Sequence, residues 1–251
     1  MFFSKEINSA CSSPLKDIYS LACNKNQIED NEYQRELIST FNQIATILRV
    51  RTKFSKLPFV GNWLFSKAQL LSARKQKGVY IWGKVGVGKT FMMDLFYDSL
   101  PENHKKRYHF HEFMEVIHTI LKKKENQQSP LKLVSKSLLK NINILFLDEF
   151  HVSDITDAML LDKLLESLFT DKVILVTTSN SHPDELYKNG LQRDRFLNAI
   201  SLLKNNLVIK NLYGSKDYRL QAFNEEGVTA KRNLNNKSLC KLFERLTTND
   251  K

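Results

Sequence analysis

Eight consecutive residues, Gly83-Lys84-Val85-Gly86-Val87-Gly88-Lys89-Thr90, combine three glycines with a lysine and a hydroxyl in the spacing G-x-x-x-x-G-K-[ST]. Backbone N–H groups can curl around a polyphosphate only where no side chain intrudes. Gly83, Gly86 and Gly88 remove the Cβ where the loop needs unusual dihedrals. The run from Gly83 to Phe91, with Lys84, Val85 and Val87 between the glycines, is therefore a candidate nucleotide cradle. Lys89 is placed to reach the β/γ-phosphates of ATP, and the Thr90 hydroxyl to ligate Mg²⁺.

Other residues could complete a hydrolytic site. Asn143-Ile144-Leu145-Phe146-Leu147-Asp148-Glu149 is an apolar run ending in two acids. Asp148 would hold the Mg²⁺ shell facing Thr90, and Glu149 would act as base or polariser for an attacking water. Asn180, closing Thr177-Thr178-Ser179-Asn180, could orient that water or touch the γ-phosphate; Asn is also a common turn residue. Arg193 or Arg195 could stabilise transition-state charge, in trans if a second copy supplies it, with Arg195 slightly preferred; they could equally bridge Asp194 or Glu185 at the surface. His109, His111, Glu112 and His118 have no spacing that makes a tetrahedral metal set, and packing or hydrogen bonding suits them better.

Positioning these groups requires strands with helices between them, the pattern of a parallel α/β sheet. Strands are expected at Val79–Trp82, Arg107–His111, Ile142–Leu147, Val173–Thr178 and Leu207–Ile209. Helices are expected at Phe91–Tyr97, Glu112–Lys123, Leu131–Leu139, Thr156–Phe169 and Asp194–Lys204. The expected fold is a P-loop NTPase with a five-stranded, mainly parallel sheet flanked by helices. It carries an N-terminal helical segment and a short C-terminal helical stub. Within the first, Leu37, Ile38, Phe41, Ile44, Ala45 and Leu48 form one apolar stripe. From Arg49 to Lys77 basic residues alternate with Phe54, Phe59, Trp63 and Phe65, which could stack on bases but more simply pin a loop. The domain reading is 1–77 as N-terminal extension, 78–213 as ATPase core and 214–251 as lid segment, with a last amphipathic helix at Ser238–Leu246.

Bulk composition sets broad limits. The 251 residues hold 42% hydrophobic and 26% charged residues, ordinary for a globular chain. Cys11, Cys23 and Cys240 are odd in number and far apart, which argues against a disulfide framework and suits a reducing compartment. No apolar run approaches the ~18 residues of a membrane span, and neither a secretory signal nor an Arg-rich mitochondrial presequence is evident. Lys and Arg outnumber Asp and Glu by 38 to 27, a net charge of +11. That permits nucleic acid, an anionic membrane surface or an acidic partner without selecting one.

The stretches GVYIWGKVGVGKTFMMDLFYDSLP, KKRYHFHEFMEVIHTIL, ILFLDEF with its continuation Val152-Ser153-Asp154-Ile155-Thr156-Asp157-Ala158-Met159-Leu160, and GLQRDRFL resemble the ZapE-type cell-division ATPases and their mitochondrial relatives, the AFG-like ATPases. The resemblance runs from about Pro14 to Leu220. It implies an AAA+-like P-loop fold, ATP hydrolysis and a homo-oligomer. In bacteria it implies cytoplasmic action on the tubulin-like division ring, with recruitment to the inner face of the membrane; in mitochondria it implies protein quality control. Asn198 stands where that family has Pro. Family members continue past the equivalent of Leu220 into a helical lid, whereas 31 residues follow it here, so a truncated lid is expected and ATP binding is a firmer expectation than turnover.

Three functions follow: an ATPase that remodels a protein partner, a division-ring component or a protein client; a nucleic-acid-associated AAA+ protein such as a helicase loader; and a nucleotide-binding module without turnover. The first is favoured.

Overall fold

A computed structural model describes residues 15–24, 30–54, 78–101, 105–123 and 142–213, all within one compact unit. The helices expected at 131–139 and 238–246, most of the aromatic–basic stretch and the lid segment lie outside the described residues. The elements are α1 (Leu15–Asn24), α2 (Glu32–Phe54), β1 (Gly78–Trp82), α3 (Lys89–Ser99), β2 (Lys105–His109), α4 (Phe110–Lys123), β3 (Ile144–Asp148), α5 (Ile155–Thr170), β4 (Ile174–Ser179), a 3₁₀ turn (Pro183–Glu185), α6 (Arg193–Asn206) and β5 (Leu207–Asn211).

The five strands form one sheet in the order β2-β3-β4-β1-β5, and every pairing is parallel. The central strand β4 and its neighbour β3 are buried along their whole length, as strands covered on both faces are, and β3 accordingly reads as an apolar run up to Asp148 while β4 turns polar only from Thr177. Alternate residues serve opposite faces. Tyr80, Leu145, Leu147 and Leu175 join a core with Phe113 and Ile117 of α4, Leu161 and Leu165 of α5, and Phe196 and Leu203 of α6. On the other face Phe146 meets Phe96 of α3 edge-on, and Phe96 stacks on Phe41 of α2 at 4.3 Å between ring centres. All six residues of the predicted α2 stripe are buried, and that stripe explains why this N-terminal helix packs on the sheet's α3 side. Among the described residues no helix is long and apolar enough to cross a membrane.

One local expectation is corrected. The second strand spans Lys105–His109, not Arg107–His111, so Phe110 and His111 open α4. Phe110, Phe113, Met114 and Ile117 are the buried set, and their i, i+3, i+4, i+7 spacing draws Phe110 into the helix. His109 and His111 therefore do not share a strand face. The five described strands are parallel throughout, in keeping with the five-stranded, mainly parallel sheet expected.

A parallel sheet brings all strand C-termini to one edge. The register sets Trp82 beside Ser179 and Asn211, and His109 beside Asp148. The glycine loop, the acid pair and the polar end of β4 thus emerge side by side, where open α/β sheets hold ligands.

Candidate functional site

The loop between β1 and α3 is tied to its neighbours through the backbone. Gly83 N–H donates to the Ser179 carbonyl at 3.2 Å, and Leu212 N–H donates to the Trp82 carbonyl at 2.8 Å. A Cβ on Gly83 would lie 2.5 Å from the Leu212 carbonyl oxygen, so only glycine lets β5's end approach this closely. Gly86 and Gly88 both have φ of 86°, a left-handed backbone that costs glycine little. Gly88 caps α3. Lys89 is buried, and its Nζ donates to the carbonyls of Gly83 and Lys84 at 2.8 and 2.7 Å. Thr90 is exposed at the second position of α3.

The acid pair at the end of β3 is held in an asymmetric way. Asp148 is buried; its Oδ1 accepts from the Glu149 N–H at 3.1 Å and from the Thr178 hydroxyl. Its Oδ2 accepts from Arg107 at 2.9 Å. Glu149 sits at φ 54°, a left-handed conformation rare for a residue with a side chain. Its N–H is held from both sides, by Asp148 Oδ1 and by Thr178 Oγ1 at 3.1 Å. This turns the exposed Glu149 out of the strand line while Phe150 returns to the core, its N–H donating to the Thr178 carbonyl at 2.7 Å. Thr177 and Ser179 donate to the carbonyls of Leu147 and Phe150. The hydroxyls at the end of β4 thus fasten β3's tip in place.

Arg107, in β2, reaches across both elements. It pairs with Asp148 and, through its other terminal nitrogen, with Asp94 of α3. Asp94 lies four residues after Thr90 on the same helix face. Burial pushes the Asp94 carboxyl above its ordinary value, against the hydrogen bond and charge of Arg107. Burial also works against the Arg107 charge, but hydrogen bonds to Asp148 and Asp94 outweigh it and hold the guanidinium above its ordinary value.

The structure therefore brings the loop, Lys89, Thr90, Asp148, Glu149 and Asn180 to one sheet edge. Asn180 is exposed directly after β4. The two arginines differ: Arg193 donates to the Asp184 carbonyl at 2.7 Å, whereas Arg195 is exposed in the first turn of α6. Asp184, rather than Asp194 or Glu185, is thus the Arg193 partner. Asn198, the departure from the resembled family, donates to Asp162 of α5 at 2.6 Å. The histidines are apart in role: His118 pairs with Asp157 at 2.7 Å, and His111 lies 3.2 Å from Glu115. Sequence reasoning missed Arg107, Asp94 and Thr178. Only Asp94 had a local signal, its spacing from Thr90.

A family model described as AFG1-like ATPase matches residues 14–251, past Leu220, where the resemblance read from the motifs ends. The chain belongs to the AFG1-like ATPase family. Cell division protein ZapE of Escherichia coli K12 is 40% identical over 211 residues, covering 82% of this chain and 56% of that protein. An uncharacterized protein of Schizosaccharomyces pombe is 30% identical over 230 residues, covering 81% and 51%. The chain thus spans about half the length of the curated relatives it matches. Among solved structures, DnaI aligns with a TM-score of 0.45 at 17% identity over 66% of this chain and 89% of its own, a similarity that bears on neither activity nor partner.

Proposed function

We propose that this chain binds ATP with Mg²⁺ and hydrolyses it, using the energy to remodel a protein partner. The observation that carries this reading is the convergence at one sheet edge of a lysine-ended glycine loop and the Asp148–Glu149 pair. Thr90 and Asp148 offer hard oxygen donors of the kind Mg²⁺ takes, together with phosphate oxygens. The loop from Gly83 to Phe91 supplies N–H groups, and Lys89 exchanges its carbonyl contacts for the β/γ-phosphates. Magnesium supplies charge neutralisation and orientation of the phosphates. Glu149, turned out of the strand, polarises water; Asn180 orients it. Arg195 is the residue available to a second copy, so the working form is a homo-oligomer.

The E. coli relative is named a cell division protein, which favours a cell-division partner; on this reading the partner is a division-ring component, met in the cytoplasm at the inner face of the membrane. Glu149→Gln tests both halves of the reading. It is expected to retain a fluorescent ATP analogue while phosphate release falls about 10²–10³-fold, the scale of losing a base. Trapped with ATP, it should co-sediment with division-ring polymer more strongly than the wild type. Hydrolysis equal to wild type removes Glu149 from the mechanism; no nucleotide binding by the wild type sinks the whole reading. Wild-type turnover per chain should rise with protein concentration, and Arg195→Ala should lose about 10³-fold with that dependence abolished. An unchanged rate excludes Arg195.

A further inference from the structure

Arg107 has no place in the hydrolytic scheme, yet it makes ion pairs that tie the phosphate-loop helix to the acid-bearing strand. It lies in an edge strand, its side chain 28% exposed, between Asp94 of α3 and the 2%-exposed Asp148. A carboxylate offers about four acceptor positions. Asp148 fills three with Glu149 N–H, Thr178 Oγ1 and Arg107, leaving one on Oδ2, the oxygen Arg107 already holds. A cation of the protein's own therefore sits where a divalent ion would otherwise meet two acids at once.

We propose that Arg107 is a built-in counter-cation of the metal site: by bridging Asp94 and Asp148 it makes uptake of a divalent ion depend on the arrival of the nucleotide's phosphates. With Arg107 in place, the two acids and the guanidinium leave one net negative charge, too little to strip and hold a hydrated Mg²⁺. The triphosphate supplies the missing charge. Thr178 and Glu149 N–H fix Oδ1, so Asp148 keeps its orientation in both conditions. Arg107 acts through Asp148, as a positioning residue. By reciprocity, the factor by which ATP strengthens metal binding is also the factor by which metal strengthens ATP binding. The inference rests on the reading of Lys89, Thr90 and Asp148 as a magnesium–nucleotide site.

The test is binding of Mn²⁺ alone, followed by the paramagnetic signal of the free ion, to nucleotide-free full chain. The wild type is expected to bind Mn²⁺ weakly without ATP and tightly with it. Arg107→Gln should raise nucleotide-free Mn²⁺ affinity about tenfold or more, since a unit charge within a few ångströms of a divalent ion is lost. The enhancement by ATP should shrink by a similar factor. Arg107→Lys, which covers one acid and frees the other, should fall between, and it decides the matter if the glutamine variant does not fold. Nucleotide-free Mn²⁺ affinity equal to wild type in a variant with intact circular dichroism reduces Arg107 to a structural bridge and overturns the proposal. So does tight Mn²⁺ binding by the nucleotide-free wild type. Failure of the underlying site reading looks different: the wild type then binds no ATP analogue with any metal.

Discussion

Two helices of this molecule start in opposite ways. Helix α5 is capped by Asp154, whose side chain accepts the Thr156 N–H at 2.6 Å, and Asp157 adds a second acid in the first turn. Helix α3 begins after Gly88 with no capping side chain and no acid in its first turn. Among the six described helices, α1, α2, α4, α5 and α6 each carry a first-turn acid, and α3 alone does not. Helix N-termini have unpaired N–H groups and a positive dipole end, so an acid there is an easy gain in stability. Its omission at α3, next to Lys89 and a glycine loop, leaves those groups for an external anion. Helix α5 closes its start with its own residues; the proposed nucleotide site leaves the start of α3 to be satisfied by the ligand.

The strongest way to break this contrast is to give α3 the acid it lacks. Thr90→Glu places a carboxylate in the exposed first turn. The dipole should leave the Tm unchanged or slightly raised, by roughly 0.3–1 kcal/mol of added stability. ATP affinity should collapse by about 10³-fold, because like charges about 4 Å apart repel by about 4 kcal/mol at an effective dielectric of 20 and the metal's hydroxyl ligand is gone. Opposite signs in a thermal melt and an ATP titration are the signature; loss of both together would mean that the residue only supports the fold. Lys89→Ala should be next in size. Charge-assisted hydrogen bonds of ~1.5–3 kcal/mol are lost, so ATP binding should weaken by about 10–150-fold in equilibrium titration. Affinity equal to wild type would show that the loop does not bind phosphate through this lysine.

How much of this contrast could be read from the sequence depends on the range of the interactions. The loop, the apolar β3 and β4 and the α2 stripe are local patterns, and each was legible because its neighbours along the chain determine it. Strand β2 was misplaced by two residues because Lys105-Lys106-Arg107-Tyr108-His109 is half-polar, as an edge strand can be, and the pattern at its end serves α4 equally well. At the site, Asp148 and Glu149 were visible as acids closing an apolar run. Their support was not: Arg107 is 41 residues from Asp148 and Thr178 is 30, and one sequence carries no mark of such pairings. The left-handed turn at Glu149 was equally hidden, since it is imposed by Thr178 and Asp148 and not by a glycine.

The smallest expected effect comes from the other side of the contrast. Asp154→Ala removes the cap of α5, which should lower the Tm by about 2–4 °C and leave ATP affinity untouched, because this N-terminus is closed by its own residues. The loss should depend on pH in a defined direction. The side-chain and backbone hydrogen bonds of Thr156 hold the Asp154 carboxyl below its ordinary value. A depressed folded-state pKa means that the cap's contribution is fully present above the unfolded carboxylate range and is lost as the pH falls through the folded value. The Tm difference between wild type and Asp154→Ala should therefore be constant near neutrality and shrink in acid. A difference independent of pH would show that Asp154 supports α5 by packing alone, and a change in ATP affinity would show that the two helix starts are coupled, not separately closed and open.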